Sequence, residues 1–222
     1  MPTFNTPEPI SAVLDIPAGR VQFIAGDRTD TAVEILPVDP SKGRDVKVAE
    51  EAKVEYGDGV LRIEVVAKNQ YFGPSGSVAV TVQLPAGSRV QVKAASAEIR
   101  AAGRFGEVAV ESEHGSIDLD EVASARITTT AGDVTVGRLN GPAEIRTSKG
   151  DIRVAEAVRG SVVLRTVAGD VEIGAAAGAS ASLDAGTTTG RISNALKNAE
   201  GAAAELTIHA TTTVGDIVAR SL

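Results

Sequence analysis

The sequence contains no cysteine and no tryptophan, and aromatic residues make up only 3% of it. The first absence excludes disulfides and thiolate metal centres. The scarcity of rings leaves a core of Val, Ile, Leu and Ala. Such small and β-branched side chains suit thin, regular layers better than a globule built around large rings. No run of Lys or Arg occurs, and the net charge is −7 with both signs interspersed. Nucleic acids and anionic membranes need a basic patch, so no nucleic-acid partner is expected. Nor does any stretch approach the ~18 uninterrupted apolar residues of a membrane span, so none is expected. The opening residues Met1-Pro2-Thr3-Phe4-Asn5-Thr6 carry neither a basic nor an apolar leader region. With the missing cysteines, they lead to the expectation of a cytoplasmic protein.

What is present is punctuation and repetition. Gly occurs 23 times, marking frequent turns rather than long helices. Internal similarity is strong in the second half. Gly115-Ser116-Ile117, Gly132-Asp133-Val134, Gly150-Asp151-Ile152, Gly169-Asp170-Val171 and Gly215-Asp216-Ile217 share one pattern, with Gly190-Arg191-Ile192 and Ala97-Glu98-Ile99 as degenerate copies. The steps between anchors are 18, 17, 18, 19, 21 and 25 residues. Each anchor follows an alternating segment: Ala125-x-Ile127-x-Thr129, Ala143-x-Ile145-x-Thr147, Val162-x-Leu164-x-Thr166, and more loosely Ala181-x-Leu183-x-Ala185 and Leu206-x-Ile208-x-Ala210. Apolar residues inside and polar ones outside, at period two, define strands on both sides of each Gly-Asp.

A unit of one strand, a corner and a second strand cannot bury its own apolar face, so neighbouring units must stack. The expected fold is all-β: a parallel β-solenoid, or β-helix, of roughly 18-residue rungs with an irregular β-rich N-terminal part. The alternative is an antiparallel meander in which each Gly-Asp forms a hairpin turn. One domain over 1–222 is expected, with irregular rungs and a cap in 1–94 and regular Gly-Asp repeats in 95–222. Within the first part, Val13–Gly19 and Val82–Gly87 each contain Pro-Ala-Gly, read as a turn between strands. Asp45 to Ala52 reads as a short helix with Asp45 as its cap, and Val60–Val66 as a strand.

These residues carry a resemblance. Gly76-Ser77-Val78-Ala79-Val80-Thr81-Val82-Gln83-Leu84-Pro85-Ala86-Gly87-Ser88, followed by repeated Thr/Ser-x-Gly-Asp-Val/Ile, resembles the bacterial "putative adhesin" family of β-strand-repeat domains of unknown function. The resemblance covers roughly residues 10–222, with Gly115-Ser116, Gly190-Arg191 and Ala97 departing from the pattern. It implies a β-helical fold and supplies no catalytic residues.

The recurring Asp133, Asp151, Asp170 and Asp216 are the most tempting chemistry. A carboxylate ladder could hold Ca²⁺ or supply paired acids for cleaving polysaccharide. The competing reading makes Gly115, Gly132, Gly150, Gly169 and Gly215 with these Asp residues structural corners, because Asp caps local backbone amides. Glu98, Ser116 and Arg191 share the column, which favours corners over a metal. His114 and His209 have no identifiable partner, and no Gly-x-Ser-x-Gly elbow occurs. Thr129, Thr147 and Thr166 fall inward, against an ice-binding face. Catalytic residues, metal ligands and cofactors are therefore expected to be none.

Two functions compete. One is a non-enzymatic structural or protein-interaction module presenting a repetitive β face to itself or to an unidentified protein partner. The other is a polysaccharide-binding or polysaccharide-cleaving β-helix using the acidic ladder, for which Tyr56, Tyr71 and Phe72 are the few sugar platforms. The chain stops near the last repeat, so Ile217, Ala219 and Leu222 are read as a self-association edge. Through that C-terminal rung two copies would pair as a homodimer. The longer insertion around Asn194–Gly201 is the alternative cover.

Overall fold

The computed structural model describes residues 2–65, 76–199 and 203–222. Tyr71 and Phe72, the end of the Val60–Val66 strand at Val66, and Gly201 lie outside them. The described chain is almost entirely β, and its contacts group into two compact units, Met1–Gly115 and Ser116–Leu222.

The second unit contains β8 (Ile117–Ala131), β9 (Val134–Leu139), β10 (Ala143–Lys149), β11 (Ile152–Ala157), β12 (Gly160–Arg165), β13 (Val171–Ala175), β14 (Ala181–Thr189), β15 (Ile192–Ala195), β16 (Leu206–Val214) and β17 (Ile217–Ser221). Every pairing among them is parallel. This is the solenoid and not the meander. Ile127, Ile145 and Leu164 stand in register in one ladder, and Val134, Ile152 and Val171 in the other. All six are 0% exposed, while Arg146, Arg153 and Arg165 face solvent. Alternation at period two thus becomes inside and outside along these ladders.

The last two rungs do not stack in sequence order. β16 pairs with β12 on one side and β14 on the other; β17 pairs with β13 and β15. The C-terminal rung is therefore inserted one level inward, and the rung made by β14 and β15 lies outermost in this unit.

The first unit contains β1 (Thr3–Asn5), β2 (Ser11–Gly26), β3 (Asp30–Pro37), α1 (Gly43–Glu50), β4 (Lys53–Gly57), β5 (Val60–Glu64), β6 (Val78–Pro85) and β7 (Arg89–His114). The long β2 is its spine. Parallel to β7 throughout, it takes β5 as its other neighbour along Ser11–Asp15 and β6 along Gly19–Gly26. Antiparallel pairs β1–β3, β3–β6 and β4–β5 make this part irregular. Phe23 and Phe105 meet edge to face at its centre, with centroids 6.5 Å apart.

Two local expectations need correction here. Pro85-Ala86-Gly87 does turn between β6 and β7, but Pro17-Ala18-Gly19 lies inside β2, where the strand changes partner. Gly19 has φ +139, and a Cβ there would sit 1.8 Å from the Val78 carbonyl oxygen, so the position demands Gly. The helix begins at Gly43 rather than Asp45, and its N-cap residue, Lys42, makes no side-chain capping bond. Asp45 is instead buried in the first turn. Its carboxylate accepts the amides of Ser77 at 2.9 Å and Asp39 at 3.2 Å, so amides outside the helix claim the oxygen atoms that a cap would use.

Candidate functional site

The corner column of the second unit is the most regular polar array in the protein. Asp133 Oδ1 accepts the Asp151 amide at 2.9 Å, and Asp151 Oδ1 accepts the Asp170 amide at 2.8 Å. Asp170 Oδ1 then accepts the Asp216 amide at 2.7 Å, and Asp216 Oδ1 the Arg191 amide at 2.8 Å. One oxygen of each carboxylate is thus committed to the next rung's backbone. The acids are links in a chain of rung-to-rung bonds.

The glycines preceding them have a matching cause. Gly150, Gly169, Gly215 and Gly190 have φ between +142 and +152, and a Cβ on any of them would lie 1.9–2.2 Å from the carbonyl oxygen of the adjacent rung's glycine. A side chain cannot fit between stacked corners. The corner carbonyls find donors in the threonine column: Thr166 donates to Gly150 O, Thr212 to Gly169 O and Thr187 to Gly215 O, each at 3.0 Å. Thr147 reaches Gly132 O at 3.4 Å, whereas the buried Thr129 Oγ1 has no partner among the described residues. The Gly-Asp-Thr set forms one hydrogen-bonded spine.

Outward charges sit where the register puts them. Arg146 and Arg165 are neighbours in one column, and Arg153 donates to Glu172 at 3.0 Å. Glu172 also meets Arg220 at 2.8 Å. His209, for which sequence offered no partner, lies beside Asp184, with Nδ1 3.3 Å from Oδ2. That contact depends on β16 pairing with β14, which the order of the repeats concealed. The His114 carbonyl accepts from the Ser112 hydroxyl at 3.0 Å.

The other expected residues are dispersed. Tyr56, half-buried, leans on Phe4 with ring centroids 5.2 Å apart, so the described member of the aromatic trio already has one face against another ring. Ile217 and Ala219 are 0% exposed, and β17 is paired on both sides. They line the core, and Leu222, 52% exposed, is the one of the three at the surface. Ile217, Ala219 and Leu222, expected at a free edge, therefore do not form one, because β17 is paired on both sides. In the first unit, an open cleft of about 320 Å³ is lined by Ala18, Gly19, Ser96, Ala97, Arg20 and Glu98 among others. Its two charged lining residues pair with each other at 3.5 Å. Among the described residues no group of three His, Cys, Asp or Glu is placed to hold a metal, and no helix is long and apolar enough to cross a membrane.

Comparisons with known proteins bear on the same architecture. The family described as Toastrack DUF4097 matches residues 45–219. The crystal structure of a "putative adhesin" from Bacteroides fragilis NCTC 9343 superposes with a TM-score of 0.57 at 13% identity, covering 98% of this chain and 95% of that one. A "putative adhesin" from Parabacteroides distasonis ATCC 8503 gives a TM-score of 0.44 at 12% identity over 98% and 95%. A "putative cell adhesion protein" from Clostridium sporogenes ATCC 15579 gives 0.41 at 10% over 100% and 98%. No curated protein matches the sequence.

Proposed function

This chain belongs to the Toastrack DUF4097 family, whose members of unknown function have an adhesin-like β-solenoid, and on that basis we propose that it is a non-enzymatic protein-interaction module presenting a repetitive β face. The observation carrying this reading is the corner ladder. Its carboxylates each hold a neighbouring amide, so the acids that would serve a polysaccharide-cleaving site are engaged in holding rungs together. What the second unit offers to a partner is the flat outer face of its ladders, where Thr128, Arg146, Arg165 and Thr211 stand in one row at rung spacing. Regular spacing of this kind suits an extended partner strand or a second repetitive surface, since one contact is reproduced every ~4.8 Å.

The test compares two surfaces. Full-length chain immobilised on a resin should retain a defined protein from a native extract, and Arg146→Glu with Arg165→Glu should abolish retention without lowering the melting temperature. Asp151→Asn should retain the partner. Turnover of a polysaccharide by the wild-type chain, lost in Asp151→Asn, would replace this reading with the enzymatic one.

A further inference from the structure

The outermost rung of the second unit breaks the pattern of all the rungs beneath it. Val134, Ile152, Val171 and Ile217 are 0% exposed, but Ile192, in register with Ile217, is 45% exposed. Leu183, in register with the fully buried Ile208, is only half-buried. The core columns run to the end of the stack, where Ala181 is still buried but Leu183 is half-covered and Ile192 exposed. Among the described residues β14 and β15 each have one strand partner. The described residues after β15 lie against the start of β14: Lys197 O accepts the Ala181 amide at 3.1 Å, Asn198 Oδ1 accepts from the Ser180 hydroxyl at 3.3 Å, and the Lys197 amide donates to Ser221 Oγ at 2.9 Å. Along the rest of β14 no second strand pairs with it among the described residues.

We propose that this rung, β14 with β15, is a self-association edge through which two copies of the chain pair about a two-fold axis. The proposal deepens the interaction-module reading by naming a partner. Three observations select a second copy. Natural edge strands are blunted by charged side chains, Lys above all, and by Pro, yet residues 181–195 contain no Lys or Pro and only two charges, Asp184 and Arg191. An edge turned about a two-fold axis meets itself antiparallel, so the donor and acceptor pattern of its backbone is complementary to its own copy by symmetry. The rung carries one negative charge, Asp184, and one positive, Arg191, in a chain of net charge −7. Two copies therefore repel each other less at this end than their total charge implies. In the pair, Leu183 and Ile192 of each copy cover those of the other. A contact one rung wide falls at the small end of specific interfaces, so dimerisation depends on concentration.

The missing cysteines make the test direct, because one introduced thiol is unique. Ser193, Val218, Glu172 and Arg153 form an outward column on β15, β17, β13 and β11. Spin labels placed singly at these positions should give, in the dimer, distances between copies that increase by about 9–10 Å per rung, twice the spacing of strands. The Ser193→Cys label should give the shortest distance. Sedimentation velocity should show a monomer–dimer equilibrium that Ile192→Lys removes and Val163→Lys, on the outer face of β12, leaves intact. A chain monomeric at every concentration overturns the proposal, as do equal label distances down the column, which would mean lateral packing. Should Ile192→Lys fail to fold, the label series alone decides. A monomeric result would leave retention of another protein by the Arg146–Arg165 face unaffected, so the two readings fail separately.

Discussion

The Asp216 amide donates to Asp170 Oδ1 at 2.7 Å across a separation of 46 residues, although the Gly190-Arg191 corner lies between them in sequence. The chain builds β12–β13, leaves a level vacant, builds β14–β15, and returns to fill the gap with β16–β17. Parallel strands on either side of a missing rung would be separated by twice the normal spacing and could not bond directly. The C-terminal residues are thus the only strand link from β13 to β15 among the described residues.

Removal of residues 206–222, which form β16 and β17, should therefore release the outer rung, β14 with β15. Hydrogen exchange by mass spectrometry should show residues 181–195 losing protection in the truncated chain while 143–165 keep theirs. In a stack built in sequence order the same deletion would leave 181–195 protected, and that outcome would contradict the inserted topology.

Much of this architecture can be read from the residues, and its limits have a physical origin. Ile127, Ile145 and Leu164 announce a column because period-two alternation and Gly-Asp corners recur together. The order of the final rungs is not encoded this way. Leu183, Ile208 and Leu164 present the same pattern, so any two can be neighbours without changing what is buried. The only trace is the 25-residue step to Gly215, long enough to cross a level. The same ambiguity hides the His209–Asp184 contact and the pairing of β17 on both sides. Asp45 reads as a cap because its sequence context shows the helix start but not the distant Ser77 amide that takes its carboxylate.

Position within the stack should set the cost of truncating an inward side chain. Ile145 is 0% exposed between two neighbouring rungs, so Ile145→Ala should cost about 2–5 kcal/mol through lost burial and a cavity. Ile192, 45% exposed in the single chain, leaves no closed cavity there, and in dilute, monomeric samples Ile192→Ala should cost less than about 1 kcal/mol. Urea unfolding of both variants checks this; equal losses would mean that the outer rung is covered.

Corner glycine and corner aspartate should differ in the same assay. Gly169→Ala places a Cβ 2.0 Å from Gly150 O at φ +152, which the stack can relieve only by moving backbone, for about 2–3 kcal/mol or more. Asp170→Ala removes one exposed acceptor from the Asp216 amide, for about 1 kcal/mol. Asp170→Asn keeps an acceptor and should lose less. An Asp170→Ala loss exceeding that of Gly169→Ala would reverse the roles assigned to the pair.

Two carboxylates in the first unit should titrate below the usual range. Asp30 is lowered chiefly by its side-chain hydrogen bonds from Arg28, at 2.8 and 3.0 Å; Asp39 is lowered by the Ser41 hydroxyl and amide at 2.6 and 3.0 Å. A depressed folded pKa contributes stability above the unfolded value of about 3.9, and that contribution fades as pH falls through the folded value. Carboxyl carbon shifts followed by NMR should show both midpoints rising in Arg28→Ala and Ser41→Ala respectively. Unchanged midpoints would disprove those partners.

Calcium provides the sharpest separation between a corner ladder and a metal ladder. Calcium takes six to eight oxygen ligands and is held tightly where several carboxylate and carbonyl oxygens converge on it. Along the corner column one oxygen of Asp133, Asp151, Asp170 and Asp216 already accepts an amide. The Gly150 and Gly169 carbonyls are taken by Thr166 and Thr212, and Arg191 lies 3.7 Å from Asp216 Oδ2. The remaining carboxylate oxygens stand at rung spacing in a line, so they repel one another without enclosing an ion. Monovalent salt should therefore raise the melting temperature by screening that repulsion, and calcium should do no more at equal ionic strength. Calorimetric titration should give no saturable heat. A stoichiometric calcium isotherm that vanishes in both Asp151→Ala and Asp170→Ala would show that the ladder binds metal, and the amide bonds would then be the arrangement of the empty site.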